Sequence, residues 1–180
     1  SGLLVNKQDN SSQGPTYAYA TGTTAGAGRL SRRDWARGAY STYTYNTAGQ
    51  VSAITYNGSP TTPNITVAYD RLGNPSTIVQ GGMTNTLSYN DASELLGEAF
   101  TGGDLNGLST SYSYDALWRQ TNLVVTSGGS SLFTNSYAYD QASRLASVRR
   151  GDKTAGYSFV TNSALLASVT FQDNGNTRLT

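Results

Sequence analysis

Residues 111–125 read SYSYDALWRQTNLVV, and the fold turns on what Tyr112, Tyr114 and Asp115 do together. Residues two apart share one face of an extended strand. An aspartate directly after them accepts hydrogen bonds from backbone N–H groups two residues on, which favours a chain reversal. Three positions after the aspartate, a type I turn running into a bulge wants a residue with positive φ. Trp118 stands there. A bulky side chain is costly in that conformation, so this hairpin is expected to turn by another geometry, with its ring exposed or lying over a neighbouring strand.

The same frame recurs along the chain. Aligned on the second aromatic, the copies fall at Tyr19, Tyr45, Tyr69, Tyr89, Tyr114, Tyr139 and Phe159, spaced 20 to 26 residues apart. Two positions earlier stand Tyr17, Tyr43, Val67, Leu87, Tyr112, Tyr137 and Tyr157. A turn-starting acid or amide follows in five copies, as Asn46, Asp70, Asn90, Asp115 and Asp140. The positive-φ place is taken by Gly49 and Gly73, and elsewhere by Ser93, Ser143 and Ser163. A segment with hydrophobic residues then runs back, and a second turn closes each unit, at Gly38, Asn57-Gly58, Gly81-Gly82, Gly102-Gly103, Gly128-Gly129, Gly151-Asp152 and Asn174-Gly175.

Two turns and two strands per unit predict an all-β chain, an antiparallel meander of repeated β-hairpins with about fourteen strands. The meander would form a curled strip or partial shell. A parallel β-helix has a similar period and is the alternative. Alternation in the return strands is imperfect: Ile54 and Tyr56 share a face and Val51 falls opposite, which a bulge after the turn would repair.

Composition narrows the chemistry. The chain of 180 residues has no cysteine and no histidine, which removes disulfides, thiolate chemistry, Ser-His-Asp arrangements and the usual zinc sites. Net charge is +1 with 13% charged residues, unlike a protein that grips nucleic acid through phosphates. Arg29, Arg32, Arg33 and Arg37 form the one dense basic group, read as a solvated strand face. No apolar run is long enough to span a bilayer. Asp104, Asn106 and Gly107 are read as a turn, lacking the remaining ligands of a calcium loop. Neither a metal nor a cofactor is expected.

Catalysis by the repeated acid is disfavoured, because its column holds Asp in three copies and Asn in two. Asn accepts hydrogen bonds but cannot serve as a general acid or base. The next column, Arg29, Gln50, Asn74, Glu94, Arg119, Arg144 and Ala164, is read as outward-facing and polar, since Glu94 interrupts any phosphate ladder. Eleven of the 13 tyrosines lie in the repeated pairs. They suit either a cross-strand aromatic ladder or a carbohydrate platform, and the ladder is preferred.

The frame Tyr-x-Tyr-Asp-x-x-Gly-Arg-Leu resembles the YD repeat of the Rhs family, which includes bacterial Rhs proteins, the C subunits of insecticidal toxin complexes and the animal teneurins. The copies that carry the resemblance are YAYDQASRLASV (137–148), with Arg144 and Leu145, YTYNTAGQVSAI (43–54), VAYDRLGNPSTI (67–78) and YSYDALWRQTNL (112–123). AGAGRLSRRDW (25–35) supplies the Gly-Arg-Leu half, and YSFVTNSALLASVTF (157–171) keeps the aromatics without the Asp. Such repeats form an antiparallel strip that spirals into a hollow shell, enclosing a toxic polypeptide in bacterial members and scaffolding adhesion in animal ones.

The resemblance therefore implies a single YD-repeat domain over 1–180, a piece of a larger wall without a toxin or protease domain, in a secreted or cell-surface protein. Its partners would be neighbouring repeats or an enclosed polypeptide. An adhesion module binding glycans or protein through exposed tyrosines is the alternative. Free edge strands invite pairing, so either edge-to-edge self-association or curling of the faces together is expected.

Overall fold

The computed structural model describes residues 3–9, 12–23, 25–59 and 61–179. It is all-β. Among the described residues sixteen strands follow one another in chain order in one antiparallel meander sheet, so the parallel alternative is excluded. β1 (Asn6–Asp9) is followed by seven hairpins and then by β16 (Asn176–Leu179). The hairpins are β2 (Ser12–Tyr19) with β3 (Leu30–Asp34), β4 (Tyr40–Tyr45) with β5 (Val51–Asn57), and β6 (Ile65–Tyr69) with β7 (Pro75–Gln80). Next come β8 (Met83–Tyr89) with β9 (Leu95–Thr101) and β10 (Leu108–Tyr114) with β11 (Gln120–Ser127). The last two are β12 (Ser130–Tyr139) with β13 (Leu145–Arg150) and β14 (Lys153–Phe159) with β15 (Leu166–Asp173). The expected fourteen are these seven pairs. β1 and β16 carry no aromatic pair within the strand and so escape a count made on tyrosines.

The first strand of every hairpin ends on the second aromatic of the repeated frame. In six hairpins the register slips by one residue there, between Thr44 and Tyr45 for example, so that Tyr43 faces Ile54 while Tyr45 faces Val51. This is the bulge that alternation required: it returns Val51 to the face of the tyrosines.

The chain divides into two compact units, residues 1–86 with 102–104, and residues 87–101 with 105–180. Within each, the two sheet faces differ in kind. Tyr43, Ile54, Ile65, Val67 and Ile78 share a face in the first unit, and Tyr112, Leu123, Val125, Phe133 and Tyr137 share one in the second. The reverse faces carry small and hydroxylated residues, including the paired hydroxyls of Thr44 with Ser52, Ser109 with Thr126 and Ser158 with Ser168. Among the described residues only Ala39, Ser41 and the glycines Gly26, Gly49 and Gly97 are buried. The aromatic pairs are half-buried, shielding one another in rows instead of sinking beneath a second layer.

Candidate functional site

The repeated turn is an arrangement of side chains that recurs along the chain, and each part of it follows from local chemistry. In the Asp115 copy the Asp115 N–H donates to the Arg119 carbonyl at 3.0 Å, and the Trp118 N–H donates to the Asp115 carbonyl at 3.0 Å. Asp115 Oδ1 accepts the N–H groups of Leu117 at 2.8 Å and Arg119 at 3.0 Å. Asp70, Asn90 and Asp140 brace their turns through the same two side-chain contacts, and Asn46 accepts from the Gln50 N–H. The position three after the acid has positive φ throughout: 78° at Gly49, 90° at Gly73, 62° at Ser93 and 61° at Ser143.

Trp118 has φ 61° as well, so it adopts the common turn and not the separate geometry its bulk suggested. The hydrogen bonds gathered by Asp115 outweigh the steric penalty of one left-handed residue, and the ring is left 59% exposed. The last hairpin does differ. Val160 replaces the acid, the loop closes one residue later through Val160 N–H to Leu165 carbonyl, and the left-handed residue is Asn162 (φ 54°), not Ser163.

The residue four after the acid is not simply an outward polar group. Its side chain pairs back, and the partners match by hydrogen-bonding type. Asp115 Oδ2 accepts Arg119 Nε at 2.7 Å, Asp140 Oδ2 accepts Arg144 Nε at 2.7 Å, and Asp70 Oδ2 accepts Asn74 Nδ2 at 3.0 Å. Where the acid is an amide, the partner is an acceptor: Asn90 Nδ2 donates to Glu94 Oε2 at 2.8 Å and Asn46 Nδ2 to Gln50 Oε1 at 3.0 Å. Glu94, which looked like an interruption, thus completes its own copy. These contacts hold the carboxylates below their ordinary range. For Asp70 and Asp115 the side-chain hydrogen bond from Asn74 or Arg119 is the main cause, and for Asp140 the Arg144 backbone N–H.

Two further kinds of contact tie neighbouring hairpins together. The second tyrosine donates its hydroxyl to the carbonyl of the first residue in the preceding return strand. The bonds are Tyr45 to Leu30 at 2.6 Å, Tyr69 to Val51 at 2.8 Å, Tyr114 to Leu95 at 2.9 Å and Tyr139 to Gln120 at 2.8 Å. Tyr19 donates likewise to Leu4 at 2.8 Å. Phe159 has no hydroxyl to give. Burial raises the phenol pKa of Tyr45 and of Tyr114.

The residue four after the acid also reaches forward into the next turn. Gln50 Nε2 donates to the Gly73 carbonyl at 2.8 Å, Arg119 Nη1 to Ser143 Oγ at 3.1 Å, and Arg144 Nη1 to the Ser163 carbonyl. The guanidinium lies over the next second aromatic, Arg119 at 4.6 Å from the Tyr139 ring centroid and Arg144 at 4.3 Å from that of Phe159. Arg29 does the same over Tyr45 at 5.7 Å and packs so closely on Gly49 that a Cβ there would meet its guanidinium.

The first aromatics pack across the hairpin on aliphatic side chains, Tyr112 on Leu123, Tyr137 on Val148 and Tyr157 on Val169. Tyr17 faces Arg33 instead. Tyr89 closes β8 ahead of the Asn90 turn, and Leu145 opens β13 opposite Tyr139. The tyrosines are therefore half-buried, and Tyr19, Tyr45, Tyr69, Tyr114 and Tyr139 donate their hydroxyls to the main chain, which is not the free ring surface a glycan platform needs. An open groove of about 600 Å³ between two adjacent turns is lined by Asn46, Gln50, Tyr69, Asp70 and Gly73, and their polar atoms are engaged in the contacts above. No three metal-ligating side chains gather among the described residues.

No protein-family model matches the chain, and no curated protein does. Its structure is similar to the crystal structure of TcdB2-TccC3 without the hypervariable C-terminal region, with a TM-score of 0.72 at 15% sequence identity over 91% of this chain. The chain spans 9% of the length of that one. The likeness is one of fold, and over nine-tenths of its length this chain has the fold of a stretch of TcdB2-TccC3.

Proposed function

We propose that the chain is a non-catalytic segment of a YD-repeat wall that encloses or scaffolds a polypeptide, in a secreted or cell-surface protein. The observation that carries this reading is where the repeated polar groups go. Acid, its partner four residues on, and the tyrosine hydroxyl each bind the same turn or the neighbouring hairpin. A group engaged in this way is committed to holding the structure. Carboxylates held below their ordinary pKa are poor general acids near neutral pH, and Asn fills their place in two copies without disturbing the turn. The fold likeness to TcdB2-TccC3 and the Tyr-x-Tyr-Asp frame support the same reading.

The test uses the full-length protein that contains this segment. Limited proteolysis should leave an enclosed polypeptide intact while the wall is closed. Replacing Tyr45, Tyr69, Tyr114 and Tyr139 together by Phe should loosen the ties and make that polypeptide cleavable. An enclosed polypeptide cut as fast behind the unaltered wall as in free form would overturn the proposal.

A further inference from the structure

The basic group at residues 29–37 is not uniform. Arg32 is on the hydroxylated face and is saturated by Asp34, with Nε at 2.9 and 3.0 Å from the two carboxylate oxygens and Nη2 at 2.5 Å from Oδ1. Its guanidinium stacks on Tyr40 at 3.6 Å. Arg33, the next residue, points to the aromatic face, between Tyr17 on β2 and Ser41 on β4. The equivalent place opposite the first aromatic is Ile54, Ile78, Leu123, Val148 or Val169 in the other hairpins with defined register. An arginine has been set where five copies use an aliphatic side chain.

That arginine is bracketed by rings, at 5.8 Å from the Tyr17 centroid and 5.0 Å from that of Trp35. Its Nε is buried and has no hydrogen-bond acceptor. Arg37 approaches the same indole at 5.7 Å. Among the described residues no carboxylate pairs with Arg33 or Arg37. A half-buried guanidinium on an apolar face is expensive unless an acceptor meets it.

We infer that Arg33, with Arg37 and the Trp35 and Tyr17 rings, is a docking site for an acidic polypeptide segment that crosses the aromatic face of the first unit. Charge complementarity selects the ligand. Arg32 is already neutralised and Arg29 lies over Tyr45, so Arg33 and Arg37 are the two cations beside the Trp35 ring. That suits one or two carboxylates next to an apolar side chain. A nucleic acid would present a run of phosphates and need a longer basic track. The two Nη groups of Arg33 can meet a carboxylate end-on with two parallel N–H donors. The inference deepens the wall reading by naming the chemistry of what would lie against the wall, but its test does not depend on that reading.

The chain has two tryptophans, so Trp118→Phe leaves Trp35 as the only indole. In that background a short peptide of alternating glutamate and leucine should change Trp35 emission saturably, and the glutamine version of the peptide should not. Arg33→Leu installs the aliphatic residue of the other hairpins and should retain the fold by circular dichroism. It should weaken the glutamate peptide by roughly ten- to a hundredfold. Binding left unchanged by Arg33→Leu, or no response of Trp35 to the peptide, would overturn the inference. So would saturation by inorganic phosphate or a single-stranded oligonucleotide at lower concentration than the peptide. Any of these would leave the protease test of the wall untouched.

Discussion

Tyr139 donates its hydroxyl to the main-chain carbonyl of Gln120 at 2.8 Å, joining the end of β12 to the first residue of β11. The paired register of the two strands ends at Asn122 and Ser136, and this bond joins them beyond it. Tyr139→Phe keeps the ring under Arg119 and removes only the donor. The expected loss is about 1 kcal/mol, read as a lower midpoint in urea denaturation.

Phe159 occupies the same place in β14 and lacks the hydroxyl, with Leu145 heading the preceding return strand. Phe159→Tyr should add the missing bond and raise stability by about 0.5–1 kcal/mol, measured in the same denaturation series. A neutral or destabilising result would mean that the tie at Tyr139 depends on more than the register.

Trp118 and Gly49 hold equivalent left-handed positions at φ 61° and 78°. Trp118→Gly relieves the strain of a side chain that is mostly in solvent, and should stabilise the chain by about 0.5–1 kcal/mol after the entropy of the added glycine is counted. Gly49→Ala does the reverse and drives its Cβ into Arg29, with an expected loss of about 1–2 kcal/mol. Thermal denaturation of the two variants checks both signs.

The matching of partners in the turn predicts a compensation. Asp115→Asn alone sets an amide donor against the Arg119 guanidinium and should lower the denaturation midpoint. Adding Arg119→Glu recreates the Asn90–Glu94 arrangement and should recover part of the loss within the turn. The recovery stays incomplete, because Arg119 also reaches Ser143 and covers Tyr139.

Asp70, Asp115 and Asp140 titrate below the ordinary carboxylate range in the folded chain. A folded pKa lower than the unfolded one gives stability that is fully present above the unfolded value. That stability is lost as pH falls through the folded value. Melting temperature should thus hold steady from neutrality down to the ordinary carboxylate pKa and drop below it. A flat profile through the acid range would count against these turns as ionised braces.

The hairpin frame was legible because its signals are local. Period-two aromatics, an acid and a glycine or serine at fixed spacing state both the strand and its reversal, and the displaced Val51 even announced the bulge. Trp118 misled because propensity is a property of one residue, whereas the turn is held by several hydrogen bonds centred on Asp115. The column holding Glu94 was visible but was read alone. Set beside the column four residues earlier, Asn46 with Gln50, Asn90 with Glu94 and Asp115 with Arg119 show the rule that acceptor meets donor. The tyrosine ties left no trace, since a main-chain carbonyl has no residue signature. Arg33 was grouped with Arg32, and only strand register separates the neutralised face from the unpaired one.

The most direct test of the wall reading uses the absence of cysteine from this chain. Thr110 and Ser111 are consecutive on β10 and project from opposite faces of the sheet. In the full-length protein, Thr110→Cys and Ser111→Cys should differ sharply in their reaction with a bulky maleimide: one thiol labels at once, the other only after denaturation. Equal labelling of both in the native protein would mean that neither face is closed off, and the chain would not be part of an enclosing wall.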